Sequence, residues 1–224
     1  MEILKYQSFI SGSSASKRFG IVESEEGEKA YSFDELSDTA KEKALSIFRE
    51  DEDLIYQDWE ESVINDFEED LRDFGIDNIE CNYSGFYSQG DGASFTGNIT
   101  DNRKFIEEAL GIKNMRPEVY DHLFLYIRRV SSRYVHENTI DLNADVDSGE
   151  EELEFPVSAD FSIIIDLKKE AEIIEKKGTE WAREKSSELY RRLEREYDYL
   201  RSDDNIENFI VSNDYEFDVE GNLL

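Results

Sequence analysis

Between residues 53 and 74 the apolar side chains Ile55, Trp59, Val63, Phe67, Leu71 and Phe74 recur at steps of four and three, the spacing that lines up one stripe along an α-helix. Carboxylates fill the remaining faces, and Gly75 directly afterwards suits a left-handed helix end. An earlier helix is predicted from Ser37, a capping residue followed by Asp38, to about Arg49. A third stripe, Ile174, Trp181, Leu189, Leu193, Tyr197 and Leu200, predicts a long helix over about 168–200. Shorter helices are expected from Asp101 to Leu110, from Pro117 to about Arg129, and from Asp203, as cap, to Val211.

Strands are expected where β-branched and aromatic residues gather between turn residues. Ile3–Ile10 and Phe19–Val22 fit, joined by a flexible-looking Ser11–Ser16. Ile79–Tyr87 and Ala93–Ile99 read as a β-hairpin closed around Asp91-Gly92. Tyr134–Asn143, Glu154–Asp166 and Tyr215–Val219 complete the set, the last before a turn at Gly221. Helices and strands come in groups, without a βαβ rhythm, so the fold class is α+β: small antiparallel sheets packed by the helices at 53–74 and 168–200. A single domain over 1–224 is expected, with 1–130 and 131–224 as its natural sub-parts.

Charge changes this picture. The chain of 224 residues carries 55 Asp plus Glu against 25 Lys plus Arg, a formal net charge of −30. Yet 12% of it is aromatic, which a chain kept disordered by charge would lack. The excess is regional. Residues 49–73 are net −10, 141–160 net −8 and 202–224 net −7, while 166–201 balance ten acids against ten bases. Such a surface repels DNA, RNA and anionic membranes, whose binding rests on Lys and Arg. The partner it fits is a basic protein.

The residues expected to make that contact are Glu50, Asp51, Glu52, Asp53, Asp58, Glu60, Glu61, Asp66, Glu68, Glu69, Asp70 and Asp73. On a helix, carboxylates three or four apart stand about 5–6 Å from one another, a scale comparable to the phosphates of a DNA strand. The acidic loop within 141–160 and the surface 203–220 would assist.

Other chemistry is thin. The hairpin word at 84–95 could offer Tyr83, Phe86, Tyr87, Ser88, Gln89 and Asp91 to a small, nucleotide-like ligand, but it lacks the Gly-Lys-Ser/Thr ending of a phosphate loop. Asp141, Asn143, Asp145, Asp147 and Glu152 stand at calcium-loop positions 1, 3, 5, 7 and 12, with Val146 where the loop needs Gly, so a solvated acidic turn is the stronger reading. His122 and His136 sit in no zinc-protease or nucleophile-elbow pattern, and Cys81 stands alone. No catalytic set and no cofactor is expected; a carboxylate-based enzyme is the third-ranked reading. No apolar run of about 18 residues is present, residues 1–12 are too short an apolar stretch for a secretory signal, and one cysteine fits a reducing compartment.

The segment Tyr31–Ala44, the word SGFYSQGDGASF at 84–95, and the runs LEREYDYLRSDD at 193–204 and NDYEFDVEGNLL at 213–224 resemble proteins of unassigned activity encoded by tailed bacteriophages. The resemblance covers both ends and the hairpin and is weakest over 101–165. It implies a phage origin and action in the cytoplasm of the infected bacterium. Joined to the charge, it leads to an expected role as an inhibitor of a host nuclease, restriction enzyme or other defence protein, acting as a DNA mimic.

Overall fold

The structure, a computed structural model, describes residues 29–51, 59–131, 133–146 and 160–224, with backbone alone over 160–166. The fold is α+β. It divides into two compact units at 57/58 and 197/198. The strands expected at 3–10 and 19–22, and the part of 154–166 before Asp160, lie outside the described residues.

The smaller unit joins residues 29–51 to 198–224. Strand β1 (Tyr31–Ser32) runs antiparallel to a strand near the other end of the chain, with Tyr31 opposite Phe217 and Ser32 opposite Glu216. Ser37 caps α1 (Asp38–Glu50) by accepting the Ala40 N–H at 3.3 Å, as expected. Phe33, Ala44, Phe48, Ile206, Ile210 and Phe217 form its core. Phe48 lies edge-on to Tyr215 at 4.9 Å between ring centres.

The larger unit, 58–197, is a four-stranded antiparallel sheet with helices on one face. Helix α2 (Trp59–Arg72) buries Phe67 and Leu71, on the expected stripe. The chain turns at Gly75, φ +77°, where an added Cβ would stand 2.8 Å from that of Asp101. Strands β2 (Ile76–Ser84) and β3 (Gly92–Ile99) form the expected hairpin, with a bulge between Asp77 and Glu80. Asp101 caps α3 (Asn102–Lys104), which continues as a π-helical turn, Phe105–Ala109.

Three expectations fail here. The helix expected over 117–129 stops early: α4 (Pro117–His122) gives way to strand β4 (Leu123–Arg129). Leu123, Leu125 and Ile127 are buried while Phe124 and Arg128 are exposed, a period of two that marks a strand with one wet face. The strand expected from Tyr134 starts later, as β5 (Ile140–Val146), after a 3-10 turn at Glu137–Thr139. Residues 160–166 are not strand but the start of α5 (Asp160–Leu200). By sequence spacing, Ile164, Leu167, Ala171 and Ile174 extend the helical stripe, and this phase prevails over the β-propensity of the Ile163–Ile165 run.

In the smaller unit, α6 (Asp203–Ser212) is capped by Ser202, one residue before the expected Asp203. The final strand, β6, is Glu216–Phe217.

Candidate functional site

Helix α2 owes its place to two opposite demands. Trp59, Val63, Phe67 and Leu71 hold it to the core, and the carboxylates are left on the outside. Glu61, Asp66, Glu69 and Asp73 are exposed and enter no ion pair among the described residues. At about 100° per residue Glu61, Asp66 and Glu69 share one arc of the helix, and Asp73, in the turn directly after it, extends that arc, its N–H donating to the Glu69 carbonyl at 3.1 Å. Two expected contact residues are spent internally: Asp70 takes a hydrogen bond from Arg192 at 2.6 Å, and Glu68 pairs with Arg72. Arg192 also pairs with Glu188, so one guanidinium of α5 clamps α2 from the side. Burial pushes the Glu188 carboxyl up, but hydrogen bonds from Lys185 and Arg192 and their charges outweigh it and hold its pKa below the ordinary value.

The other expected acids are distributed elsewhere. Glu60 is half-buried. Glu50 ends α1 in the smaller unit and accepts from Ser46, and Asp51 is the C-cap of that helix. Glu52, Asp53 and Asp58 lie outside the described residues. Of the acids after residue 202, Asp203 pairs with Arg49 and Glu220 stands 3.9 Å from Lys43. Asp218 accepts from the Glu220 and Asn222 backbone N–H groups at 2.8 and 2.9 Å. Asp204, Glu207, Asp214 and Glu216 stay exposed.

Much of the hairpin word is engaged within the fold. Phe86, expected to stack on a ligand, is the hub of an aromatic cluster: its ring centre is 4.9 Å from Tyr197, 5.6 Å from Tyr190, 5.9 Å from Tyr83 and 6.2 Å from Trp59. Asp91 accepts the Ser88 N–H at 2.7 Å, and its own N–H donates to the Ser88 carbonyl, which closes the turn. Gly85 and Gly90 adopt φ of +44° and +96°. Gly92 serves a close approach, since a Cβ there would stand 2.5 Å from that of His136. Ser88, Gln89 and Tyr87 remain exposed at the rim.

The calcium reading meets a strand. Asp141, Asn143 and Asp145 alternate along β5, about 7 Å apart at each step of two, instead of wrapping round a point. Asp141 binds Arg183 at 2.6 Å, while Asn143 and Asp145 hydrogen-bond the Tyr126 hydroxyl. Asp147 and Glu152 lie outside the described residues, and no group of three potential ligands occurs among those described. His136 caps the 3-10 turn, its Nδ1 accepting the Asn138 N–H at 3.1 Å, and His122 ends α4. Burial, with the Glu68 charge nearby, pushes the Cys81 thiol up to about 12, which keeps it protonated and poorly nucleophilic. A depression along α5 is lined by Trp181, Glu184, Lys185, Glu188, Arg191, Glu194 and Arg195, a face of alternating sign.

One set of residues was not singled out from the sequence. Segment 133–136 folds against the turn end of the hairpin, with the Val135 carbonyl accepting from Ser84 Oγ at 3.4 Å. It brings Arg133 and Tyr134 to the turn at Gly90. The available signal was a gap: residues 123–136 contain three arginines and no acid.

A family model, Domain of unknown function (DUF8835), matches residues 59–203. The chain belongs to DUF8835. The matched segment coincides closely with the larger unit, 58–197, and spans the sheet, α2, the hairpin and α5. No curated protein and no solved structure matches the chain. Among the described residues no helix is long and apolar enough to cross a membrane.

Proposed function

We propose that this protein acts by binding rather than catalysis, docking the carboxylate face of α2 into a basic groove of a nucleic-acid-handling protein. The observation that carries the reading is the arc of Glu61, Asp66, Glu69 and Asp73, exposed and without cationic partners among the described residues, on a helix clamped by Arg192 and by its buried stripe. Fixed charges on a rigid helix lose little conformational freedom on docking. They also steer a positively charged partner from a distance. With the resemblance of both chain ends and the hairpin to phage proteins, the setting we infer is the cytoplasm of an infected bacterium. The target is a host nuclease, restriction enzyme or other defence protein, inhibited because the carboxylates occupy the place of DNA phosphates.

The test is capture from bacterial lysate at low salt by the tagged full chain, beside a variant carrying Glu61→Gln, Asp66→Asn, Glu69→Gln and Asp73→Asn. A basic nucleic-acid-binding protein held by the first and released by the second is the expected result. Equal retention by both would contradict the reading.

A further inference from the structure

The two edges of the four-stranded sheet are treated differently. Along β5, side chains of α5 bond the backbone of alternate residues: Glu175 at Ala144, Thr179 at Leu142 and Arg183 at Ile140. Strand β2 lies at the opposite edge. Among the described residues, no hydrogen bond outside the hairpin ladder reaches the backbone of Glu80, Cys81 or Asn82. Alternate residues of an edge strand aim both N–H and C=O away from the sheet, so this stretch offers unused donors and acceptors.

Burial agrees with an open edge. On the packed face, Ala93 and Phe95 of β3 are 1% and 0% exposed. Their cross-strand partners Tyr83 and Cys81 are only half-buried, as is Ile79. The core ends at β2 with its last row incompletely covered, although α2 packs over the strand.

Charge selects what can complete it. From Asp73 to Asn102 the chain holds five acids and no lysine or arginine. Asp77 and Glu80 are exposed, and the nearest preceding base, Arg72, is committed to Glu68. Glu80 and Asn82 stand opposite Thr96 and Ser94, on the outer face of the sheet. Another copy of this chain is a poor occupant. Two β2 strands laid antiparallel would bring Asp77 and Glu80 of both onto one face, between chains of net charge −30 each, and the bulge between Asp77 and Glu80 breaks the register. Carboxylates that repel a like strand attract a basic one.

We propose that the edge of β2 around Glu80–Asn82 takes up, as a fifth strand, an extended segment of a partner protein in which Lys or Arg alternates with apolar residues. Its backbone pairs with that of β2. Its basic side chains fall on the outer face beside Glu80 and Asp77, and its apolar ones on the inner face beside Cys81 and Tyr83. This surface is separate from the carboxylate arc of α2, and the two readings can fail independently.

The test titrates the full chain, at low salt, into a fluorescein-labelled peptide of alternating Lys and Val, read by anisotropy. Because any cationic peptide is drawn to an acidic chain, the deciding comparison is with the same peptide N-methylated at alternate residues, made in both phases. Charge and side chains are kept, and one phase loses the N–H groups that face β2. Saturable binding with a Kd below about 1 mM is expected for the parent peptide, with one N-methylated phase about tenfold weaker or worse. Amide exchange within 80–84 should slow on binding. Glu80→Lys should weaken binding about tenfold with an unchanged circular dichroism spectrum, while the four α2 neutralisations should leave the protection at 80–84 in place. Absence of saturable binding up to about 1 mM, equal binding of the parent peptide and both N-methylated phases, or a dimer of the chain that protects the same amides would overturn the proposal.

Discussion

The Thr179 hydroxyl of α5 accepts the backbone N–H of Leu142 on edge strand β5 at 2.9 Å. One helical turn to either side, Glu175 accepts the Ala144 N–H at 3.0 Å and Arg183 donates to the Ile140 carbonyl at 3.2 Å. The match is geometric: four helical residues rise about 6 Å and two strand residues about 6.8 Å. Side chains at 175, 179 and 183 therefore meet backbone groups at 144, 142 and 140, and the helix seals an edge that could otherwise pair with another chain. Gly178 permits the approach, since a Cβ there would stand 2.7 Å from Leu142 Cδ1.

Thr179→Val keeps the shape and removes the acceptor, leaving the Leu142 N–H without a partner. A loss of about 1–3 kcal/mol is expected in urea unfolding. Thr179→Ser, which restores the hydroxyl, should recover most of it.

Gly221 has φ +85°, and a Cβ on it would stand 2.2 Å from the Ala40 carbonyl oxygen of α1. Backbone on both sides of the contact leaves nowhere to move. Gly221→Ala should destabilise the smaller unit by more than about 2 kcal/mol, read as early loss of amide-exchange protection in α1.

The lowered pKa of Glu188 fixes the sign of one pH effect. A carboxyl depressed in the folded state contributes stability above its unfolded value, and the contribution is lost as pH falls through the folded value. Glu188→Gln should therefore cost a few tenths to about 1 kcal/mol at pH 7, discounted for its partial exposure. The difference between variant and parent should shrink in urea melts repeated at progressively lower pH.

Cys81 stands opposite Phe95 on the packed face of the sheet. With its pKa pushed up to about 12 against 9.0 for the free thiol, the thiolate is scarce at pH 8. Alkylation by iodoacetamide should be at least about a hundredfold slower in the folded protein than in urea.

Much of the larger unit was legible because local signals and tertiary demands agree there: the stripe from Trp59 to Leu71, the Ser37 cap, the glycine at 75 and the Asp91-Gly92 turn. Two of the failures share one cause. Leu123–Arg129 and Ile163–Ile165 are short apolar runs whose period depends on what packs against them, so a helix was expected where β4 forms and a strand where α5 begins. The pairing of Tyr31 with Phe217 spans nearly the whole chain, and no local pattern announces it. Among the candidate contacts, the count of carboxylates in α2 was readable. That Asp70 and Glu68 are consumed by Arg192 and Arg72 depends on the packing of α5 and on side-chain geometry. The meeting of Arg133 and Tyr134 with the hairpin depends on a loop crossing some 40 residues later.

The most direct test of the central claim is the affinity of the full chain for its captured partner between about 50 and 500 mM salt, measured for the parent and for the variant neutralised at Glu61, Asp66, Glu69 and Asp73. The acidic face of α2 predicts a parent affinity that falls steeply with salt and a variant that is weaker at low salt with a much shallower slope. Parallel lines of equal affinity for the two proteins would contradict it.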